Sequence, residues 1–354
     1  MTIAPHLSAS ARTRTAHDPL GSALPPSRGP ISDAVTDTLR TADPIRPSAV
    51  VRSRLVDAVE AAASADPFGE DLTLALHVGY ELHYRGFRGV HPDWEWQPDL
   101  LRLRAALEST FLSGLRVGVA GGTDVGAALD PLLIEAIPGA GVSHWLRDEG
   151  TLDQVTEFFA HRSIYHLKEA DPHAWVIPRL SGQAKASLVA VEFDEFGGGR
   201  ADRAHAQLFA DLLDAAGMET AYLYYLPHVP APALATVNLM SMCGLRRGLR
   251  GALVGHLTAS EITTSPSAAR MVQALRRLGA PERCVHFYAE HIEADAVHEQ
   301  VMRRDVIGGL LDQEPELAAD VVVGFQATEL LEERLTNHLL TAWRAGAGSL
   351  IREI

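Results

Sequence analysis

The stretch EHIEADAVHEQ, residues 290–300, places two histidines and four acids within eleven positions. At about 100° per residue of an α-helix, Asp295 lies about 40° from His291, and His298 lies about 20° to its other side. The three side chains therefore share one stripe of the helix. Two interpretations stay open for this stretch alone. It forms one wall of a metal site, or it is a solvated face whose side chains interact at i,i+4 spacing.

Further acids lie in apolar or broken segments elsewhere in the chain. In VAVEFDEFGGGRADRAHAQLF (189–209), Glu195 ends an apolar helix, three glycines predict a break, and His205 begins the next helix. Glu169 precedes the Asp-Pro of KEADP, and Glu261 is the one acid of the apolar segment RGALVGHLTASEITTS. A lone carboxylate in such a segment is costly to bury unless it is paired or binds a metal. The alternative is an acid at a capped or partly exposed helix end.

The pattern of apolar residues is helical through most of the chain. From Val50 onward they recur three and four positions apart, which predicts an all-α fold. The stretch ETAYLYYLP (219–227) is the best strand candidate, but it has no obvious partner. Helices are predicted in the second half near residues 151–168, 178–195, 201–217, 231–264, 267–279, 282–303 and 314–346.

Composition divides the chain into three parts. Residues 1–46 are rich in proline, serine and arginine, which predicts a disordered tail. Proline and glycines in IPGAG (137–141) indicate a joint between a helical N-terminal extension at 47–140 and a main domain at 141–354.

Charge and cysteine content exclude several classes of function. The chain carries 31 basic and 45 acidic residues, a net charge of −14, which argues against binding to nucleic acids or to anionic membranes. Two cysteines are too few for a disulfide framework and fit a reducing compartment. With no secretory signal and no long apolar run, we expect a cytoplasmic protein.

The acids and histidines in combination resemble the ligand pattern of the heme-oxygenase-like diiron oxidases and oxygenases. The segments KEADPHAWVIPRLSGQAK, DEFGGGR, NLMSMCGLRRGLRGALVGHL and EHIEADAVHEQ look like the bacterial iron-containing redox enzymes of that family. The resemblance implies a heme-oxygenase-like helical bundle that binds two iron ions per chain, as Fe(II) or Fe(III). The positions that match the family's ligands are Glu169, Glu195, His205, Glu261, His291, Asp295 and His298.

The resemblance also implies a chemistry. It implies O2 as co-substrate, an external electron donor, and a peroxo-diferric intermediate that attacks a small-molecule substrate. The first hypothesis is N-oxygenation of an amine or guanidine-type nitrogen in specialised metabolism. The alternatives are an oxidative C–C lyase or desaturase that acts on an amino or fatty acid, and a metal-free helical interaction protein. The N-terminal extension resembles one that serves dimerisation in N-oxygenating members, so we expect a homodimer.

Substrate contacts are the least determined part of the site. Arg179, Lys185 and Arg247 either bind a carboxylate of the substrate or face acidic helices. In the family the last ligand helix is often disordered or distorted without iron, so we expect residues 286–300 to gain order when iron binds. Five other histidines are predicted to be structural rather than ligands: His161, His166, His173, His256 and His286.

Overall fold

The described part of the molecule is helical. The computed structural model describes residues 21–41, 43–134 and 139–354, apart from the side chains of 293–296. Within these residues the backbone forms helices and turns, with one isolated β-bridge. The predicted all-α class is confirmed. No helix in the described ranges is both long enough and apolar enough to cross a membrane.

Four helices form an N-terminal layer. Asp71 organises this layer, because its carboxylate accepts hydrogen bonds from the backbone N–H groups of Ile31 and Ser32, at 2.9 and 2.7 Å. These groups have no partner within their own helix, so a helix packed alongside satisfies them. The helices are α1 (Pro30–Thr41), α2 (Ala49–Ala62), α3 (Glu70–Glu81) and α4 (Pro98–Gly118).

Helix α1 corrects the prediction of a disordered tail over residues 1–46. Ile31, Val35 and Leu39 are buried and recur four positions apart, so α1 packs an apolar stripe on α3 and α2. Its formation depends on the distant Asp71 and on partner helices, which local composition does not reveal. Residues 1–20 lie outside the described residues.

The rest of the chain forms a helical bundle. Its helices are α5 (Val125–Leu129), α6 (Val142–Asp148), α7 (Leu152–His166), α8 (Asp171–Ala174), α9 (Gly182–Glu195), α10 (His205–Ala215), α11 (Ala231–Leu245), α12 (Arg250–Leu278), α13 (Glu282–Val301), α14 (Gly308–Gln313) and α15 (Ala318–Arg344). Helix α12 is central and packs on α13, α15 and α6, while α11 packs on both α15 and α3 of the N-terminal layer. The predicted division near residue 140 stays a prediction.

Two glycines let α12 and α15 cross at very short range. A Cβ at Gly255 would clash with the carbonyl oxygen of Val321, and a Cβ at Gly324 would clash with that of Ala252. The two backbones therefore touch where they cross, and this contact fixes the position of α12 along α15. Glu261 lies six residues beyond Gly255 on the same helix.

Two predicted helix boundaries and one predicted strand differ clearly from the structure. Helix α12 continues through Pro266, where a break was predicted, and the predicted helix 231–264 is divided between Leu245 and Arg250. The strand predicted at 219–227 is wrong, because this segment forms turns in which Leu223 has a φ of 58°. Buried aromatic and aliphatic side chains gave it a strand-like composition, but no described strand lies beside it to form a ladder.

Candidate metal centre

A first group of three buried side chains, the histidine-rich triplet, comprises Glu169, His205 and His291. Their candidate ligand atoms lie within 4.8 Å of one another. Nδ1 of His291 lies 2.7 Å from the carbonyl oxygen of Phe287, to which it donates, so Nε2 is the atom left to bind a metal. That Nε2 lies 3.7 Å from Oε1 of Glu169. The triplet joins the α7–α8 turn, the start of α10 and the middle of α13.

A second group, the carboxylate-rich triplet, comprises Glu195, Glu261 and His298. Its candidate ligand atoms also lie within 4.8 Å of one another, and all three residues are buried. Nδ1 of His298 lies 3.3 Å from Oε2 of Glu261 and 3.5 Å from Oε1 of Glu195. These residues come from the end of α9, from α12 and from α13, so three helices converge on one point.

Glu195 lies between the two triplets. Its Oε2 lies 2.8 Å from Nδ1 of His205, in the histidine-rich triplet, while its Oε1 faces His298 in its own. One carboxylate therefore has an oxygen toward an imidazole of each triplet. A carboxylate in this position suits a pair of metal ions, which are typically about 3.5–4 Å apart in such sites.

Three consecutive glycines bring Glu195 and His205 together. Gly197, Gly198 and Gly199 have φ values of 71°, 63° and 81°, a conformation that other residues adopt at a cost. The run turns the chain from α9 into α10, as the sequence predicted. Because the turn is so tight, a carboxylate at the end of one helix meets an imidazole at the start of the next.

The two triplets differ in their electrostatics. Burial raises the pKa of Glu169, but His166 and His291 outweigh it and hold that pKa well below its ordinary value. Burial raises the pKa of Glu261, and Glu195 adds to the rise. Burial lowers the pKa of His298, but Glu261, Glu195 and Asp194 outweigh it and raise that pKa to about 9. The carboxylate-rich triplet holds two carboxyl groups against one imidazole, and the raised pKa of Glu261 reflects the cost of ionising both, which a bound cation would offset.

Two acids of α9 beside Glu195 were not predicted as site residues. Asp194 is exposed, and its Oδ2 lies 3.3 Å from Nε2 of His298, so it orients that ring. Glu192 is 3% exposed, and neither of its carboxylate oxygens has a hydrogen-bond partner among the described residues. Burial raises the pKa of Glu192 to about 9, helped by Glu195 and Glu261. The signal was present in VEFDEF, where acids interrupt an apolar segment at i,i+3 spacing.

The histidines predicted to be structural lie outside both triplets. His161 contacts the Ser349 hydroxyl and His256 that of Thr328, at 2.9 and 2.8 Å. His166 is a neighbour of the site, because its Nδ1 lies 2.9 Å from Oε1 of Glu169.

The predicted substrate residues occupy the ends of helices. Arg179 donates to the carbonyl oxygens of Gly244 and Leu245, at the end of α11. Arg247 is exposed in the turn that follows, and Lys185 is half-buried on α9. Arg179 thus satisfies backbone carbonyls that helix α11 leaves without partners. A substrate role for these three residues stays a prediction.

Six of the seven predicted ligands converge in the two triplets, and the seventh, Asp295, has a side chain outside the described set. The donors are imidazole nitrogens and carboxylate oxygens, which suit iron or manganese better than a thiolate-seeking metal. Oε2 of Glu169 is buried without a hydrogen bond among the described residues, a costly state that a bound cation relieves. The residues therefore fit a pair of iron ions.

Comparison with known proteins agrees with this chemistry. A family model described as "iron-containing redox enzyme" matches residues 156–333, half of the chain. The matched range contains all seven predicted ligands and the two triplets. The chain belongs to this family of heme-oxygenase-like, iron-containing oxidoreductases. A search of curated individual proteins finds no match.

Proposed function

We propose that the protein is a cytoplasmic, O2-dependent non-heme diiron oxygenase that oxygenates an amine or guanidine-type nitrogen of a small metabolite in specialised metabolism. The observation that carries this proposal is Glu195, which faces His205 with one oxygen and His298 with the other. A single metal ion would not need two buried triplets joined by a shared carboxylate.

The chain's own residues prepare the site for this chemistry. Two iron ions, reduced by an external donor, would supply the binding and activation of O2. Glu195 would hold the ions at a fixed separation, while the Phe287 carbonyl and Asp194 fix the orientations of His291 and His298. Burial of both triplets keeps bulk water away from the reacting atoms.

Glu192 supports a substrate with a cationic nitrogen. The predicted ligand set contains four carboxylates, which balance the charge of two Fe(II) ions. Glu192 is a further carboxylate, buried beside Glu195 and Glu261 with neither oxygen hydrogen-bonded among the described residues. Because the pKa of Glu192 is about 9 in the metal-free protein, its carboxyl group is protonated at neutral pH until a cation approaches. An ammonium or guanidinium group of the substrate would donate hydrogen bonds to it and stabilise its ionised form.

We propose that the protein is a homodimer that contacts itself through the N-terminal layer. Large apolar side chains are exposed there, notably Val50 and Val56 of α2, Val117 of α4 and Trp96 before α4. Burial of such side chains in a dimer would remove them from water. Sedimentation velocity on the full chain tests this, and a monomer at micromolar concentration would contradict it.

The activity is tested by anaerobic loading with Fe(II), followed by O2. We expect two iron ions per chain, and a transient absorption band after O2 that decays faster when a reactive amine or guanidine is present. Mass spectrometry with isotopically labelled O2 should then find labelled oxygen on the substrate nitrogen.

Other outcomes assign other functions. Loss of a carbon fragment or of two hydrogens, without labelled oxygen in the product, would replace N-oxygenation by lyase or desaturase chemistry. A reconstituted protein that binds no iron would contradict the oxygenase proposal as a whole and favour an interaction protein.

A further inference from the structure

The end of α3 contacts the turn that carries Glu169. Nζ of Lys168 lies 2.8 Å from Oε2 of Glu81, and the side chains of the two residues are 1% and 0% exposed. An ion pair this deeply buried is unusual, since both charges have left water. Lys168 precedes Glu169 directly, so the pair ties the N-terminal layer to a residue of the histidine-rich triplet.

Two more residues after α3 hold the same turn. The ammonium of Lys168 lies 4.0 Å from the centre of the Tyr84 ring, a cation–π contact. Arg85 donates to the carbonyl oxygen of Leu167 at 3.2 Å and lies 4.0 Å from the Asp171 carboxylate. Glu81, Tyr84 and Arg85, the α3 anchor, therefore contact the turn on both sides of Glu169.

The backbone of the turn is strained where the anchor holds it. Ala170 has a φ of 73°, a left-handed conformation that residues with a Cβ rarely adopt. Such a conformation persists only when surrounding contacts impose it. It lies between Glu169 and Asp171, so the anchored turn sends the Lys168 side chain to α3 and the Glu169 side chain to His205 and His291.

We propose that the α3 anchor is a positioning device for the iron centre, in which Glu81 holds Lys168 and thereby sets the Glu169 carboxylate for metal binding. The N-terminal layer then completes the site in addition to any role in dimerisation. This inference rests on the proposed metal role of Glu169, and it is independent of the substrate and of the reaction catalysed.

The test compares two buried carboxylates in the N-terminal layer. Glu81→Gln removes the charge that holds Lys168. Glu108→Gln is the matched control, because Glu108 is also buried and pairs with Arg246 at 2.5 Å, but no predicted ligand adjoins that pair. Each full-length variant is titrated anaerobically with Fe(II), iron per chain is counted, and the melting temperature of the metal-free form is measured.

We expect Glu81→Gln to weaken one of the two iron sites by ~10-fold or more, as loss of an outer partner does in other metal sites, and to leave the other site within ~2-fold. Mössbauer spectra of the partly loaded variant should show a smaller signal from one of the two iron environments. Glu108→Gln should lower the melting temperature and leave both affinities unchanged.

A milder variant keeps the test informative if Glu81→Gln does not fold. The Arg85 side chain is 33% exposed, so Arg85→Met leaves no buried charge and should weaken the same site ~3-fold. Wild-type affinities in both Glu81→Gln and Arg85→Met, or equal losses in Glu108→Gln, would overturn the positioning role while the diiron proposal stands. A wild-type chain that binds no iron would overturn both.

Discussion

The histidine-rich and carboxylate-rich triplets lie side by side but are not equivalent. Glu169 has a pKa held below its ordinary value by imidazoles, whereas the pKa of Glu261 is raised by burial and a neighbouring carboxylate. In the first triplet one carboxylate faces imidazoles, whereas in the second two carboxyl groups face one imidazole, and ionising both is costly without a cation. The two triplets therefore differ in how much a bound cation would stabilise their carboxylates, even though α13 contributes an imidazole to each.

The largest expected effect comes from removal of one imidazole at a time. His291→Ala should abolish binding at the histidine-rich triplet, and His298→Ala should abolish it at the carboxylate-rich triplet. Each loss should exceed ~100-fold in affinity for one iron, because a direct ligand contributes more than an outer partner. Anaerobic Fe(II) titration should count one tight iron in each variant. Loss of both irons from either variant would contradict two separable positions.

The metal-free protein should lose stability at both ends of the pH range, for opposite reasons. The pKa of His298 is raised from 6.5 to about 9, so its stabilisation is complete below pH 6.5 and is lost as the pH rises through about 9. That shift corresponds to at most about 3 kcal/mol. The pKa of Glu169 lies below 4.5, so its stabilisation is present above pH 4.5 and is lost as the pH falls.

The two losses of stability can be assigned by measuring the melting temperatures of metal-free variants between pH 3 and pH 10. This window is set by the pKa directions of the two groups. His298→Gln should make the fall of the melting temperature at alkaline pH shallower without removing it, because the raised pKa values of Glu192 and Glu261 also lower stability as the pH rises. Glu169→Gln should flatten the fall at acidic pH. If both variants had the same dependence of melting temperature on pH as the wild-type protein, the triplets would not differ in this way.

Glu192 lies beside the carboxylate-rich triplet, and its replacement tests whether that triplet faces a cationic substrate. Glu192→Gln keeps the shape of the side chain but removes the carboxyl group that a cationic substrate would stabilise in its ionised form. Both irons should stay bound, while KM for an amine or guanidine substrate rises ~30-fold, in line with loss of a charge-assisted hydrogen bond. An unchanged KM, or loss of one iron, would assign Glu192 a different role.

The smallest effect concerns the helix that the triplets share. With Fe(II) at ten times its dissociation constant, the amides of residues 286–300 should exchange ~10-fold more slowly. Binding at that concentration raises the ratio of folded to unfolded helix by about that factor. Hydrogen-exchange mass spectrometry measures this directly. Equal protection with and without Fe(II) would contradict the expected coupling of this helix to metal binding.

Part of the site could be predicted from local spacing in the sequence, whereas the full set of seven ligands was implied by the resemblance to the diiron family. The i,i+3 and i,i+4 spacing put His291 and His298 on one stripe, and the glycine run predicted the turn that brings Glu195 to His205. Residues whose partners lie far away in the sequence were harder to predict. Glu81 and Lys168 form their pair across the molecule, and nothing in either segment indicates the other.

The fold was predictable as a class but not in its boundaries. Helical periodicity gave the all-α bundle, yet α1 was missed because Asp71 of another helix supplies its cap. Pro266 lies inside α12 although proline usually ends a helix, since packing on α13 and α15 outweighs its local preference. Tertiary contacts override local signals in both cases.

The crossing at Gly255 and Gly324 bears on attempts to redesign this enzyme. Because backbone meets backbone there, the position of α12 does not depend on how neighbouring side chains fill space. Apolar residues further along α12 are therefore the places at which a protein engineer can change the packing around the carboxylate-rich triplet without displacing Glu261. The two glycines themselves are poor targets for mutagenesis, since even a methyl group would force the helices apart.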